Sequence, residues 1–510
     1  FKLFDAVGFT LPNNGITVET RTIVVALVVG ILVTLLASLR PALRATRVPP
    51  IAAVQEGATL PVGRFHRFRG VGAGATALLG FAALLYGLFG KSLGTTQVLL
   101  WMGVGALLIF IGVALVSAFV VAPLARVLGW PAKEFGGAAG VLARDNAQRN
   151  PQRTASTAAA LMIGLALVTL VATLAAAIIG TFNSAVDDLA RGQFYAITAQ
   201  NNFSPIPISA SKAAAKTSGL ESISDVRAGD ALVYSNTRTL TAVDPTIGKV
   251  INLNWKEGSQ AVLSTLGASG AFVDNGFADN HDLKTGSMFL LLTPTGKTLP
   301  LTVKGIFKPP AGGSPFGPVT ISTATFDANY TQPKNIFTFV TMEGGVTEAN
   351  TTALEASLKG FPNAKVADGE QFKKDQVAGL KSVLNVLYVL LALSVLVSIF
   401  GIVNTLVLTV FERTRELGML RAIGMTRRQV RRMIRHESVI TSLIGAVIGL
   451  ILGIILAALL IARVDEINFF MPWTQLGIFM VAAIFVGIVA AIFPARRAAK
   501  LNPLRALEYE

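Results

Sequence analysis

Seven apolar runs, each long enough to cross a bilayer as a helix, fix what this chain can become. They are Thr20–Leu39, Gly70–Gly90, Thr96–Ala125, Ala155–Thr181, Ser382–Val410, Ser438–Ala462 and Leu476–Phe493. In hydrocarbon a lone segment must satisfy its own backbone hydrogen bonds, and only a helix does so. Across 510 residues the chain is 52% apolar and 14% charged, the balance of a polytopic membrane protein with at least one soluble part. The interiors of the runs hold no Asp, Glu, Lys, Arg or His. Proton relays and ion-coupled carriers need such groups at depth, which argues against a secondary transporter or an ion channel.

The net charge of +15 would suit nucleic acid, but its distribution does not. The excess sits in Arg40–Arg69 (six Arg), Arg126–Arg153 (five Lys+Arg), Phe411–Glu437 (eight Arg) and the tail Pro494–Glu510 (four Lys+Arg). Alternating the seven spans puts all four stretches on one side, which the positive-inside rule makes the cytoplasm. Phe182–Leu380 holds 16 Lys+Arg against 17 Asp+Glu and falls on the other side. No nucleic-acid partner is expected; the bilayer is the expected partner of the spans. Cysteine is absent, so neither disulfides nor thiolate metal sites arise. No signal peptide is read, and the start at Phe1 predicts chain upstream.

The outer segment reads as α+β. Ala231–Tyr234 and Thr239–Val243 flank Asn236 as one hairpin, and Met288–Thr293 with Leu299–Phe307 form another around Pro-Thr-Gly. Phe337–Met342 reads as a strand, and Thr347–Lys359 as a helix with Ala353, Leu354 and Leu358 on one face. Gln371–Ser382 is expected to run as a helix straight into the fifth span. VLARDNAQRNPQRT (141–154) reads as an amphipathic surface helix broken at Pro151.

Phe411–Glu437 is the most informative stretch. Gly424 can end one helix in a left-handed cap, and Thr426 with Gln429 can open the next as a capping box. A simple loop between spans does not need this helix–turn–helix. Leu417, Leu420 and Ile423 recur at three-residue spacing, predicting one apolar face, with Glu416 and Arg421 at its rim. That face either fills a groove on a cytoplasmic partner or lies among lipid headgroups while the arginines meet anionic lipid. In the sixth span Gly445, Gly449, Gly453 and Ala457 recur every fourth residue, clearing a face for helix packing in preference to a gating hinge. Asn385 and Asn404 read as bonded to neighbouring helices.

No catalytic, cofactor or metal site is expected. GLFGKS at 87–92 has Leu85 where a phosphate loop requires Gly. His436-Glu437 lacks the second His of a zinc helix. Finally, Pro41, Ala42, Arg44, Ala45, Pro50 and Ala53 pair without a gap with Pro494, Ala495, Arg497, Ala498, Pro503 and Ala506. Each copy follows a span, so an internal repeat is preferred to two independent arginine clusters.

The connector ERTRELGMLRAIGMTRRQVRRMI, the entry ARDNAQRNPQRTASTAAALMIGLAL and the outer stretch HDLKTGSMFLLL…LTVKGIFK together resemble the FtsX-like/MacB-type permeases of ABC transporters. The resemblance implies a polytopic α-helical membrane protein with an α+β extracytoplasmic domain like the MacB-type periplasmic core, in a bacterial plasma (inner) membrane. On this reading 1–57 ends a first FtsX-like unit and 58–130 holds two linking spans. Residues 131–181 carry a surface helix and the first span of a second unit, 182–380 form the outer domain, and 381–510 hold the last three spans with the coupling segment 411–437. Two fused units suggest a ten-span form, a pseudo-dimer in one chain in place of a dimer of shorter chains.

The resemblance also implies a separate cytoplasmic ABC ATPase dimer that binds ATP-Mg, with none held here. Glu412, Arg413, Glu416, Leu417, Leu420, Arg421, Ile423, Gly424 and Thr426 would couple to it. Export or extraction of a lipid-linked, lipoprotein or peptide substrate is the first functional expectation. Activation of an envelope enzyme, or sensing of and resistance to antimicrobial peptides, are the alternatives. An extracytoplasmic protein or lipid-linked substrate is the expected outer partner.

Overall fold

The computed structural model describes residues 19–46, 69–90, 94–202, 204–311, 316–464 and 467–501. Seven helices in it are long and apolar enough to cross a membrane. The first are α1 (Thr20–Ala45), α2 (Arg69–Phe89) and α3 (Thr95–Leu128). Then come the surface helix α4 (Trp130–Arg149) and the fourth membrane helix, α5 (Pro151–Leu189). The chain divides into two compact units, residues 1–122 with 151–156, and 123–150 with 157–510.

In the first unit α2 and α3 meet through glycine. A Cβ at Gly80 would lie 2.6 Å from the Ile109 amide nitrogen, and one at Gly105 would lie 2.6 Å from that of Leu84. Small residues let two backbones approach this closely where no hydrophobic effect drives association. The side chains of α1 from Thr20 to Leu39 are all exposed, a surface for lipid or protein. The repeat falls at two helix ends, Pro41 four residues before the end of α1 and Pro494 five before Ala499. Its paired prolines 50 and 503 and alanines 53 and 506 lie outside the described residues, as does part of GLFGKS.

Among the described residues the outer domain has ten strands. These are β1 (Tyr195–Ala199), β2 (Leu220–Val233), β3 (Asn236–Val243), β4 (Asn254–Glu257), β5 (Gly270–Asp274), β6 (Met288–Leu292), β7 (Thr298–Lys308), β8 (Val319–Ser322), β9 (Asn335–Met342) and β10 (Ala364–Asp368). Helix α6 (Glu348–Ser357) precedes β10, and α7 (Gly369–Gln376) follows it. The path runs β10-β1-β9-β2-β3-β8-β5-β7-β4, with β6 pairing both β2 and β7. That second pairing, Leu232 with Leu292 and Val233 with Leu291, closes β2, β3, β8, β5, β7 and β6 into a ring. Leu240, Leu291, Leu301, Val303 and Ile321 fill its interior. Of the four remaining strands, β4 pairs with β7 on the outside of the ring, while β10, β1 and β9 extend from β2 as an open sheet, covered on one face by a cluster that includes Leu354 of α6 and Leu358 at its C-cap.

Arg227 stands where β2 passes from β9 to β3. Its side chain is buried, donates to Asn335 Oδ1 at 3.1 Å and pairs with Asp225 and Asp327. A buried cation is tolerated only when paired in this way.

Both expected hairpins are present, with one correction. The first turns on Tyr234 and Ser235, both at positive φ (48° and 64°), and Asn236 already belongs to β3. A second correction concerns the link to the membrane. Helix α7 stops at Gln376, Val377 interrupts, and α8 (Ala378–Glu412) begins anew. The unbroken link is instead α5, which continues past Thr181 to Leu189. The last helices are α9 (Thr414–Ala422), α10 (Arg427–Ile461) and α11 (Trp473–Ala499).

Candidate functional site

The stretch between α8 and α10 folds as two helices about a tight turn. Arg413, at φ −105° and ψ 20°, ends α8 and opens α9. Gly424 takes φ 116°, a conformation a side chain would strain, and reverses the chain. Thr426 accepts from the Gln429 amide and Gln429 Oε1 accepts from the Thr426 amide at 2.8 Å, completing the capping box that starts α10. These local signals account for the turn without help from the rest of the molecule.

What holds the turn against the bundle is Arg413. Its Nε donates to Glu416 Oε2 at 2.8 Å and its Nη2 to Asn146 Oδ1 of α4 at 2.9 Å. Its Nη1 lies 3.7 Å from Glu437 Oε2 of α10. One guanidinium, 14% exposed, therefore joins α4, α9 and α10 at the end of α8. Its five donors in a rigid fork suit several acceptors at once, which a lysine could not match. Gly136 of α4 also packs beside the His436 ring of α10. The end of α11 contributes from another side: Arg421 donates to the Leu501 carbonyl, and the Arg497 guanidinium lies 4.3 Å from the centre of the Phe411 ring.

The single apolar face expected for α9 is split. Leu417 is buried, facing Val410 of α8 and Met433 and Ile434 of α10. Leu420 is half-buried on the flank, whereas Ile423 is 86% exposed. Met419 joins Ile423 outside, with Glu412, Arg415, Glu416 and Ala422 around them. Gly424 and Thr426 are exposed at the turn. Met419 could have been found by continuing the helical period from Ile423 back four residues. Asn146 and Glu437 as partners of Arg413 could not, because they come from other elements.

Inside the membrane α10 lies backbone-to-backbone on α5. A Cβ on Gly445 would sit 2.7 Å from the Ala158 carbonyl oxygen, on Gly449 2.6 Å from that of Met162, and on Gly453 2.5 Å from that of Ala166. Ala457 continues the stripe, fully buried. On its other side Ser438 Oγ donates to the Gly487 carbonyl of α11 at 2.7 Å. Among the described residues no group of His, Asp or Glu is placed to hold a metal ion.

Two family models match this architecture. The FtsX-like permease C-terminal domain covers residues 388–503, including the connector and α10–α11, and the MacB-like periplasmic core domain covers 154–358. Residues 154–358 and 388–503 thus carry the two domains of FtsX-like/MacB-type permeases. Among curated relatives it is 35% identical over 119 residues to the pyoverdine export ATP-binding/permease protein PvdT of Pseudomonas entomophila, covering 23% of this chain and 18% of PvdT. It is 30% identical over 158 residues to the lipoprotein-releasing system transmembrane protein LolC of Haemophilus influenzae, covering 29% of this chain and 40% of LolC. It is 28% identical over 118 residues to the ABC transporter permease YknZ of Bacillus subtilis, covering 23% of this chain and 30% of YknZ. The matched stretches thus span less than half the length of these relatives. Of solved structures, the extracellular domain of YknZ matches with TM-score 0.26 and 10% identity, over 34% of this chain and 99% of that domain. The permease is a multi-pass inner-membrane protein whose MacB-like domain lies outside the cytoplasm.

Proposed function

We propose that this permease takes up the motion of a separate cytoplasmic ABC ATPase dimer at 412–426 and passes it to the external domain, to export or extract a lipid-linked, lipoprotein or peptide substrate. ATP-Mg is bound and hydrolysed in the partner, not in this chain. The observation that carries the proposal is the connector: a preorganised helix–turn–helix, locked by Arg413 to α4 and α10, with Met419 and Ile423 left apolar and outward. A push on α9 reaches α8 through Arg413 and reaches α5 through α10, and both helices lead to the external domain. No polar pore is needed, in keeping with spans whose interiors lack charge. Relatives named for pyoverdine export, macrolide export and lipoprotein release support the transport class.

Ile423→Asp tests the docking face. A buried apolar anchor replaced by a carboxylate costs about 2 kcal/mol or more of docking energy, roughly 30-fold in affinity. The ATPase should then fail to co-purify and its stimulation should vanish while the permease still inserts. Leu420→Asp, on the flank, should cost less. Co-purification and turnover at parental levels with Ile423→Asp would refute the docking.

A further inference from the structure

Beyond the end of its apolar run α5 passes the base of the external sheet, and between them lies a cavity of about 190 Å³. Its walls include Phe182 and Val186 of α5, Phe337 and Phe339 of β9, and Phe372 of α7. The rings brace one another edge-on, with centroids 5.4 Å apart for Phe337–Phe372 and 5.8 Å for Phe339–Phe372. Such walls resist collapse onto the void, since rings so arranged already hold favourable contacts. The cavity sits at the outer membrane boundary: Phe182 directly follows the apolar run that ends at Thr181, and Gln376 precedes α8 by two residues.

One lining residue is out of character. Gln376 Nε2 is buried and has no hydrogen-bond partner among the described residues. A buried donor without an acceptor is costly, and a hydrocarbon alone would leave it so. A water would meet it but needs two to four polar partners, and the other walls are apolar. The group that satisfies both features is an ester or amide carbonyl at the head of a hydrocarbon chain.

We propose that this cavity binds the carbonyl end of a fatty acyl chain, with the carbonyl accepting from Gln376 Nε2 and the first methylenes lying among the phenylalanines. A dry apolar cavity of about 150 Å³ admits benzene, so this one has room for roughly six to eight carbons. The inference deepens the transport reading by naming the chemical handle on the substrate; it rests on that reading for its purpose but not for binding. Outer-leaflet phospholipids and acylated peptides share this chemistry.

The test uses the full chain in digitonin micelles, which carry no fatty acyl ester, without ATPase. Two diazirine probes of equal length are compared, a fatty acid methyl ester and a plain hydrocarbon. Both should label peptides containing Phe182 or Phe372, and Val186→Trp, which fills the cavity, should abolish this labelling. Gln376→Leu keeps the shape and removes the donor; it should lower ester labelling about three- to tenfold and leave hydrocarbon labelling unchanged. Unlabelled phosphatidylglycerol or an acylated peptide, added as competitor, identifies the source by which one displaces the ester. Absence of labelling in the parent, labelling undiminished in Val186→Trp, equal behaviour of the two probes in Gln376→Leu, or no competition by either compound would overturn the proposal. Because no ATPase is present, failure here is distinct from failure of ATPase docking.

Discussion

The external domain joins the membrane through α5 on one side and through α7 and α8 on the other, and the two joints are built differently. Helix α5 runs 39 residues without a break, and its end is pinned to the domain by Arg191 N to Val250 O at 2.9 Å and Asn252 N to Leu189 O at 2.8 Å. On the other side α7 is capped by Asp368, whose side chain accepts from Gln371 N at 2.7 Å, and ends one residue before α8. Val377 there has φ −90° and ψ −2°, close enough to helical that a small rotation would straighten or bend the pair. One connection is a rod and the other a jointed rod. In the coupling reading, α5 carries displacement without loss, while α8 can turn beneath α7 as Arg413 is moved.

The largest effect expected from this contrast is that of proline. Ser184→Pro falls in the uninterrupted part of α5, removes an intrahelical hydrogen bond and clashes with the preceding turn, costing about 3 kcal/mol or more. Gly379→Pro falls in the first turn of α8, where amides lack intrahelical partners and proline is tolerated. Thermal melts of the full chain should show a large loss for the first and a small one for the second. Equal losses would mean that α7 and α8 act as one continuous rod.

A smaller effect separates the ways in which α10 and α8 hold α5. Helix α10 touches it backbone-to-backbone at Gly449, whereas α8 donates from Ser398 Oγ to the Ala160 carbonyl at 2.8 Å, and a Cβ on Gly401 would make an ordinary 3.7 Å contact with Ala160. Gly449→Leu should therefore cost about 1–3 kcal/mol through overpacking, and Gly401→Ala almost nothing. Parental assembly and ATPase stimulation with Gly449→Leu would show that close contact at that position is dispensable.

These contrasts also mark how far the amino-acid sequence could be read. The spans and the connector turn were legible because their causes are local: unbroken hydropathy, Gly424, and Thr426 with Gln429. The two hairpins were legible from alternation around turn residues. The ring was not, because it closes through two residues of β2 meeting two of β6, some 60 positions along the chain. Leu417 was misplaced because spacing defines a helix face but not its neighbours; Met433 and Ile434 of α10 decide which way it points. The extension of α5 was missed because Asn183 and Asp187 end the hydropathic run, although Phe182, Val186 and Leu189 keep the helical period. The break at Val377 has no proline or glycine at the position to announce it, and we find no local cause for it. The phenylalanine cavity draws its walls from five separate elements, and no single stretch carries its pattern.

The smallest expected effect lies in the clamp between rod and joint. Lys373 of α7 reaches Asp187 of α5 at 2.8 Å and Glu370 at 2.6 Å. Hydrogen bonds to Asp187 and then Glu370 raise its pKa above the usual 10.5. A lysine raised on folding adds stability that is fully present below its ordinary value and is lost as pH rises through the folded value. Between pH 7 and 9 the clamp should thus be indifferent to pH, weakening only above about 10.5. Both carboxylates are open to water, at 64% and 73% exposure, so screening limits the pair to about 0.5–1 kcal/mol. Lys373→Met keeps most of the packed stem and removes the charge, whereas Lys373→Ala also forfeits packing by a side chain only 12% exposed. Melting temperatures of the parent and Lys373→Met should differ slightly at pH 8 and converge above pH 10.5. A difference that persists into that range would place the effect in the stem. Hydrogen exchange sharpens the comparison: if the clamp steadies the joint, Lys373→Met should speed exchange at 370–380 and leave 160–180 unchanged, because α5 holds its own backbone without it.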